Sequence, residues 1–261
     1  MKKVVALIMI MILAAQVFGA GAKNSKPRDL VTVERKVDKF DRIKVSGPIE
    51  VIVKTGKEQK VLVTTDSKYL HTIETITSLG ELEVSMKGLL KLKNVSEIYK
   101  VEIWVEELKE LSAAGLANVT FPEKVTVSDF SITTQGVSKT DFADIEASGK
   151  VTVEVTGASH LDLNGNVSRA IIEGSGAGNI SFTGNANAIS LEISGACKTF
   201  ITAESDKMDI EASGACKITL SGHTGELRLE ASGATSVKSE KFKADNRSVS
   251  FSGAAKISIV D

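Results

Sequence analysis

Apolar and polar side chains alternate along the C-terminal part of the chain. Between residues 208 and 220, one parity carries Met208, Ile210, Ala212, Cys216, Ile218 and Leu220. The other parity carries mainly charged and hydroxyl side chains. A period of two is typical of β-strands that have one buried and one solvated face. We therefore predict strands, not helices, throughout this region.

The alternation returns in copies that align on a glycine inside a Ser-Gly-Ala motif. The strictly spaced glycines follow one another by nineteen residues and are Gly157, Gly176, Gly195, Gly214 and Gly233. Looser copies surround Gly115, Gly136 and Gly253. One such unit cannot bury its own apolar side, so the copies must stack to form a continuous core. The pattern predicts an all-β fold, a parallel β-helix or β-solenoid of nineteen-residue coils over residues 106–261.

Each part of the repeat has an expected structural role. The motif glycine has inward parity at a bend, where a side chain would crowd the interior or the neighbouring coil. Polar segments between the predicted strands are expected to be turns; they are Asn164–Asn166, Thr183–Asn185, Glu204–Asp206 and Ser221–His223. The motif serines are expected to form hydroxyl ladders between coils; they are Ser175, Ser194, Ser213, Ser232 and Ser252. Their repetition argues against catalysis, which requires a single serine with a placed histidine.

The first 22 residues have the parts of a secretory signal peptide. Two lysines precede an apolar run over residues 4–15, and small residues lead to Ala22. The run is shorter than the roughly 20 residues that a membrane-spanning helix needs. We expect cleavage after Ala22 and an exported protein, in the periplasm, on the outer-membrane surface or secreted, with no transmembrane segment in the mature chain. An uncleaved N-terminal anchor is the alternative.

Residues 23–105 also alternate, but without the nineteen-residue period. This region is more charged and contains the single tryptophan, Trp104. We expect a β-rich N-terminal subdomain that is continuous with the solenoid and caps its first coil, because an open end would expose unpaired strand edges.

Composition limits the classes of partner. The formal net charge is -1 and aromatic residues make up 5% of the chain. No basic stripe with interleaved aromatic residues is present, so nucleic acid is not an expected partner. We also expect no cofactor.

A column of carboxylates is the clearest candidate for binding. One glutamate lies three residues before each strictly spaced glycine: Glu154, Glu173, Glu192, Glu211 and Glu230. In register, these side chains would stack about 4.8 Å apart on an outer face. Like charges at that distance repel by roughly 1 kcal/mol in water. Two interpretations stay open: a solvated face that maintains solubility, and a binding column for a ligand or a divalent cation. Lys198, Lys217 and Lys256 lie across the corner and could instead neutralise part of the negative charge of the column.

Two cysteines, Cys197 and Cys216, take the same inward place in consecutive coils. Stacking would bring their Cα atoms within the range of a disulfide, and export permits oxidation. Parallel Cβ directions fit the disulfide torsion poorly, so buried thiols are the alternative. Two cysteines without a nearby histidine pair do not predict a metal site.

Three segments and the serial Ser-Gly-Ala repeats together resemble one protein family. The segments are Phe40–Gly47, Ile49–Val51 and Leu108–Gly115. They resemble the putative auto-transporter adhesin head GIN domain family, exported proteins common in Bacteroidetes, over roughly residues 32–255. The resemblance implies a β-solenoid and a location in the cell envelope. It supplies no ligand or catalytic residue that could be transferred to this chain.

The expected function is a non-enzymatic cell-envelope protein. It would be an adhesin, or a binding or scaffold module, whose repetitive β surface contacts a glycan, a protein or a copy of itself. One alternative is a carbohydrate-active β-helix enzyme, a polysaccharide lyase or hydrolase. Such an enzyme should break the repeat with a cleft of charged and aromatic residues, and residues 150–240 show no such break. The other alternative is a structural envelope protein without a ligand.

Overall fold

A computed structural model describes residues 29–88 and 98–258, and the predicted signal peptide lies outside them. The strands of these residues belong to one hydrogen-bonded sheet that winds into a solenoid. They are β1 (Leu30–Arg35), β2 (Arg42–Ser46), β3 (Glu50–Thr55), β4 (Lys60–Asp66), β5 (Ile73–Ser78), β6 (Glu81–Met86), β7 (Tyr99–Val105), β8 (Glu110–Ala114), β9 (Asn118–Val127), β10 (Phe130–Thr134), β11 (Lys139–Val155), β12 (His160–Gly174), β13 (Asn179–Ile193), β14 (Lys198–Ala212), β15 (Lys217–Ala231), β16 (Ser236–Phe251) and β17 (Lys256–Ser258). A single 3-10 turn, Ser67–Tyr69, follows β4.

The long strands β11 to β16 pair in parallel, each with the next. Between β12 and β15 the partners lie nineteen residues apart, as Ile172, Leu191 and Ile210 do. The parallel β-solenoid is therefore confirmed, and so is its nineteen-residue coil.

Each coil has three parts, which we call the first face, the middle segment and the second face. In the coil between Gly195 and Gly214 they are residues 198–202, 203–206 and 207–212. Inward parity changes after the middle segment: in the preceding coil, Ala186 and Ile189 are both buried while Asn187 and Ala188 point outward. The prediction that the polar segments are turns is wrong. Asn164–Asn166 and its equivalents lie inside long strands and pair in register.

The tight corner of each coil is the Ser-Gly-Ala motif. Its glycines all have positive φ, between 74° and 99°: Gly47, Gly115, Gly136, Gly157, Gly176, Gly195, Gly214, Gly233 and Gly253. They stack so closely that a Cβ added to Gly195 would lie 2.5 Å from the carbonyl oxygen of Gly176. Of the two expected reasons for glycine, crowding against the neighbouring coil is therefore the one that applies, since Gly115 and the motif glycines that follow it in the chain are exposed.

The strands before residue 105 continue the solenoid toward the N-terminus. Strands β2 and β3 meet at Gly47 and form a coil that pairs in parallel with β8 and β9. On the other side of that coil lie β6 and β7, again in parallel. The strands added beyond β6 and β7 are antiparallel. β5 pairs with β6, and β4 pairs with both β7 and β1.

The core is a set of apolar columns running along the solenoid. One column contains three fully buried phenylalanines, Phe121, Phe142 and Phe182, with Leu163 between the last two. The rings of Phe121 and Phe142 stack with centroids 4.1 Å apart and planes 10° apart. Parallel in-register strands place equal positions above one another, so each column can be filled with rings of matching orientation.

The C-terminal edge is protected by charge rather than by antiparallel strands. Within the part of the chain that the structure describes, strand β17 covers Ser236–Lys238 of β16. The remainder of β16 carries Lys241, Lys243 and Arg247. It also has a register shift opposite Leu220 and Gly222, and Lys241 has a φ of 59°. Lysines and bulges at an edge prevent pairing with further strands.

Candidate functional site

The middle segments of successive coils line a groove that runs along the solenoid axis. We call it the axial groove; its volume is about 1380 Å³. It begins at Glu106–Lys109, where the N-terminal strands lead into the solenoid, and reaches Asp245 in β16. The groove follows the change of parity in each coil, because two adjacent outward residues there turn the chain away from a flat face.

One wall of the groove is a column of register partners. From the N-terminal end they are Glu146, Asn166, Asn185, Glu204 and His223. The Asn185 side-chain amide donates to Oδ1 of Asn166 at 2.8 Å, and the Asn185 backbone N–H donates to the same oxygen at 3.2 Å. This amide ladder fixes the two side chains along the groove and leaves their other polar atoms available to a ligand.

The other side of the groove carries short side chains at the bend. The residues there, at intervals of nineteen, are Ser168, Asn187, Asp206 and Gly225. Their small size keeps the groove open. Hydroxyl, amide and carboxylate groups are thus available over the whole length of the groove.

Charge is concentrated at the two ends of the groove. Glu106, Glu107, Asp129 and Glu146 lie at the N-terminal end, and Glu204, Asp206 and Asp245 at the C-terminal end. Two lysines, Lys109 and Lys150, also line the N-terminal end. Nζ of Lys109 contacts Oδ2 of Asp41 at 2.7 Å, and this hydrogen bond lowers the pKa of Asp41. Glu146 forms an ion pair with Lys124.

At the C-terminal end, His223 lies between two carboxylates. Its Nε2 is 3.0 Å from Oδ1 of Asp245, and its Nδ1 is 3.9 Å from Oε2 of Glu204. The hydrogen bond with Asp245 raises the pKa of His223; the negative charges of Asp245 and Glu204 act in the same direction, and Lys243 opposes them. Protonation of His223 therefore reduces the negative charge at this end of the groove.

The predicted glutamate column exists, but it lies outside the axial groove. Glu154, Glu173, Glu192, Glu211 and Glu230 are consecutive register partners on the second face. Three of them, with motif serines, line a shallow depression of about 400 Å³. The sequence predicts partial compensation by lysines across the corner, whereas the salt bridge found at this column joins Nη2 of Arg228 to Oε1 of Glu230 at 2.6 Å. The column does not bring even three ligand atoms together. A calcium site needs about six to eight oxygen ligands.

A cluster that sequence reasoning missed lies on the first face. Ligand atoms of Asp141, His160 and Asp162 lie within 4.8 Å of one another, the one such group in residues 29–88 and 98–258. Nε2 of His160 is 2.9 Å from Oδ2 of Asp162, and Nζ of Lys139 is 2.7 Å from Oδ2 of Asp141. Lys139 already neutralises one carboxylate and His160 is hydrogen-bonded to the other, so the ligand atoms of the cluster already have partners within the protein. The signal in the sequence was the outward His-x-Asp spacing next to a coil of 21 residues.

Cys197 and Cys216 are free, buried thiols in the structure, so the disulfide alternative is not formed there. Their Sγ atoms donate to the carbonyl oxygens of Ser194 and Ser213, at 3.2 and 3.1 Å. Parallel stacking directs both side chains toward their own corner and not toward each other.

The ladder of hydroxyls expected of the motif serines is found three residues later in the chain. Buried Ser138, Ser159 and Thr235 each donate to the carbonyl three residues earlier, at 2.7 to 2.9 Å, as the cysteines do. The motif serines instead lie at the corner surface, exposed or half-buried. A small donor inside the corner satisfies a carbonyl that the turn leaves over, which explains why serine, threonine and cysteine share this position.

We predict that both thiols are unreactive in the folded protein. Both thiols are buried and so are shielded from reagents. Burial also raises the pKa of Cys197, and the adjacent Cys216 adds to this effect, so Cys197 carries little reactive thiolate near neutral pH. With a chromogenic disulfide reagent at pH 8, labelling should be slow in buffer and reach two thiols per chain in denaturant. The Cys216→Ser variant should fold normally, and in denaturant one thiol per chain should be labelled. Failure to label the unfolded, unreduced wild type would show a disulfide and contradict the prediction.

The comparisons with known proteins agree with the fold. The family model described as "putative auto-transporter adhesin, head GIN domain" matches residues 39–184 and again residues 170–261. The chain therefore belongs to this family, and the resemblance stated from its motifs is confirmed. No curated protein matches the sequence.

Solved structures share the architecture at low sequence identity. A putative adhesin from Parabacteroides merdae has a TM-score of 0.78 and 16% identity, covering 89% of this chain and 97% of its own. A putative lipid binding protein from Parabacteroides distasonis has a TM-score of 0.71 and 18% identity, with the same coverage. A putative adhesin from Bacteroides fragilis has a TM-score of 0.66 and 20% identity, covering 91% of this chain and 99% of its own.

The described residues contain no helix of the length and apolar character required to cross a bilayer. The family's description as auto-transporter adhesins is typical of exported or cell-surface proteins.

Proposed function

We propose that the protein is an exported, non-enzymatic adhesin or binding module of the cell envelope, and that its axial groove binds an extended polymer lengthwise. The observation that carries this proposal is the continuity of the groove across the coils, with polar side chains along its length. A ligand that lies along the axis meets a new set of groups every 4.8 Å or so. Many weak contacts then add to a useful affinity.

The side chains of the groove favour a hydrophilic ligand. Its walls present the amides of Asn166, Asn185 and Asn187 and the hydroxyls of Ser168 and Ser205. Polar groups that line a groove lose hydrogen bonds to water when an apolar ligand covers them, which costs free energy. The groove therefore supports binding of a polymer with hydrogen-bonding groups more than binding of a lipid, although one structural relative carries the description of a lipid binding protein.

Export and envelope location are part of the same proposal. They are supported by the charged, apolar and small-residue segments of residues 1–22 and by the family's description. Detection of the protein in isolated envelope or secreted fractions, with residue 23 as the first residue of the mature chain, is the corresponding test.

We predict that binding depends on the amide ladder. Residues 23–261 should bind specific glycans or matrix proteins on arrays, saturably, and Asn166→Ala/Asn185→Ala should weaken this binding about tenfold, because two groove amides are lost. The matched control Asn118→Ala/Asn179→Ala removes two amides from the first face and should leave the affinity unchanged. Equal effects of both double variants would contradict a role for the groove.

The same experiment decides the alternatives. The groove also holds carboxylates around His223, so a bound glycan should be examined for cleavage. Release of shortened products would overturn the non-enzymatic proposal in favour of a lyase or hydrolase. The absence of any saturable ligand, with the folded protein confirmed by circular dichroism, would favour a structural envelope protein.

A further inference from the structure

We propose that the first face of the C-terminal coils is a second binding surface, and that its ligand is an anionic polysaccharide with sulfate or carboxylate groups. The surface consists of four exposed lysines around one exposed phenylalanine. We call it the lysine patch: Lys198, Phe200, Lys217, Lys238 and Lys256. None of these residues lines the axial groove, so the role of the patch is independent of the function proposed above.

Stacking of the coils gathers lysines that are scattered in the sequence. Lys198 on β14 and Lys217 on β15 are register partners. Lys238 and Lys256 lie on the same face, on β16 and β17. The four ammonium groups are therefore carried by four adjacent strands, over roughly 14 Å of the solenoid axis. Each coil contributes one lysine, so no basic run is visible in the sequence.

In the earlier coils the same face carries its own counter-ions. Two residues after the basic residue, and on the same outward side, β11 and β12 have Asp141 and Asp162. These carboxylates contact Lys139 at 2.7 Å and His160 at 2.9 Å. In β14, β15 and β17 the equivalent position is not acidic, and it carries Phe200, Thr219 and Ser258.

The lysine patch has no counter-ion of its own. The first-face residues of β13 to β17 contain no aspartate or glutamate; they are residues 179–183, 198–202, 217–221, 236–239 and 256–258. Glu240 and Lys241, whose charges offset each other, lie in the register shift that ends the face. Within residues 29–88 and 98–258, the four lysines form no ion pair or side-chain hydrogen bond. Their charge is therefore available to an anionic ligand.

The other side chains of this surface favour a sugar polymer. The Phe200 ring is 47% exposed and can pack against the apolar face of a sugar ring. Its register partners on both sides, Ser181 and Thr219, offer hydroxyls for hydrogen bonds. Nucleic acids are usually bound by several stacking rings and by arginines, whereas this face has one ring and no arginine. The combination of ammonium, ring and hydroxyl groups matches an acidic polysaccharide.

The test uses residues 23–261 with fluorescein-labelled dextran sulfate and with unsulfated dextran of the same length. Fluorescence anisotropy should show saturable binding of dextran sulfate that weakens as salt is raised from 0.05 to 0.5 M, because exposed charges are screened. Polygalacturonate, which carries carboxylates, should compete with the probe. Equal binding of the two dextrans would overturn the proposal, because the anionic groups would then have no role.

Two double variants separate the lysine patch from general charge. Lys198→Gln/Lys217→Gln should weaken binding of dextran sulfate about fivefold, from the usual worth of exposed ion pairs. Lys124→Gln/Lys207→Gln is the matched control, because it removes the same charge from lysines that are paired with Glu146 and Asp209. It should change the affinity less than about twofold. Equal weakening by both variants would refute the patch as the site.

Phe200→Ala supplies a second readout of where the polymer lies. Loss of the ring should weaken binding about threefold and leave the salt dependence unchanged, because the ring contributes packing and not charge. The double lysine variant should instead make the salt dependence shallower, since fewer counter-ions are exchanged. An affinity unaltered by Phe200→Ala would contradict a polysaccharide that lies across the patch.

Other occupants of the patch give different results. Tighter binding of single-stranded DNA than of dextran sulfate, at equal concentration of anionic groups, would refute the polysaccharide. So would binding of anionic phospholipid vesicles, or self-association in sedimentation, that is lost in Lys198→Gln/Lys217→Gln without any binding of dextran sulfate. Asn166→Ala/Asn185→Ala should not affect dextran sulfate; a tenfold loss would place the polymer in the axial groove, refuting the patch and supporting the groove. Loss of a groove ligand alone would leave the patch standing.

Discussion

Gly195→Ala is expected to lower the free energy of unfolding by about 3–5 kcal/mol, from backbone strain and a clash together. Gly195 has a φ of 92°, and the added Cβ would lie 2.5 Å from the oxygen and 3.0 Å from the nitrogen of Gly176. Neither atom can move alone, because the corner is hydrogen-bonded to its neighbour through Ala196 N–H and Gly176 O at 2.7 Å. Chemical denaturation followed by circular dichroism measures the loss.

Gly88→Ala is the matched control for this prediction. Gly88 has a φ of 74°, similar to that of the corner glycines, but no atom of residues 29–88 and 98–258 lies within 4 Å of its added Cβ. It therefore isolates the cost of the backbone conformation, about 1 kcal/mol. If both variants lost the same stability, contact between stacked corners would not be what requires glycine at residue 195.

The second large effect is expected from Phe142→Ala. Phe142 is completely buried, stacks on Phe121 and meets Phe130 edge to face at 5.8 Å. Removing a buried ring from a packed core costs about 3–5 kcal/mol. The parallel stack leaves the neighbouring coils little freedom to close the cavity, so we expect the upper part of this range.

Phe200→Ala provides the comparison for Phe142→Ala. Phe200 lies on the first face with 47% of its surface exposed, and its loss should change stability by less than about 0.5 kcal/mol. Thermal unfolding of the two variants side by side checks both values. A large loss for Phe200→Ala would mean that the outer side of the first face is covered by something in solution.

The fold could be predicted from the sequence because one repeat defines the contacts of the next. The Ser-Gly-Ala motif fixes the register, and the period of two determines which side chains point inward. Cys197 and Cys216 illustrate the limit of this reasoning: their shared burial follows from parity, whereas their separation as thiols depends on the direction of two parallel side chains. Spacing alone does not contain that direction.

The axial groove could not be predicted from the same repeats. Its position depends on two adjacent outward residues, such as Asn187 and Ala188, which interrupt the alternation and resemble a turn in the sequence. Asn166 and Asn185 were therefore assigned to turns, although they lie within strands and form the amide ladder. The glutamate column was easier to recognise because it repeats without variation, but it does not line the groove.

The stacking of Gly47 on Gly115 was also hidden, because 68 residues separate them in the sequence. Residues between these glycines contain β4 to β7, two of which pair back onto the coil formed by β2 and β3. A period search finds only neighbours along the chain. The first coil was therefore expected to be irregular, although its corner has the same glycine and the same positive φ as the others.

The uniform spacing of the contacts between coils has a consequence for how such proteins can change over generations. A tandem duplication or deletion of one whole unit, such as residues 177–195, recreates the same corner stack and the same strand pairing on both sides of the join. No new kind of interface has to arise. The reach of the groove can thus grow or shrink by inheritance in steps of about 4.8 Å, and relatives of different length can match partners of different length.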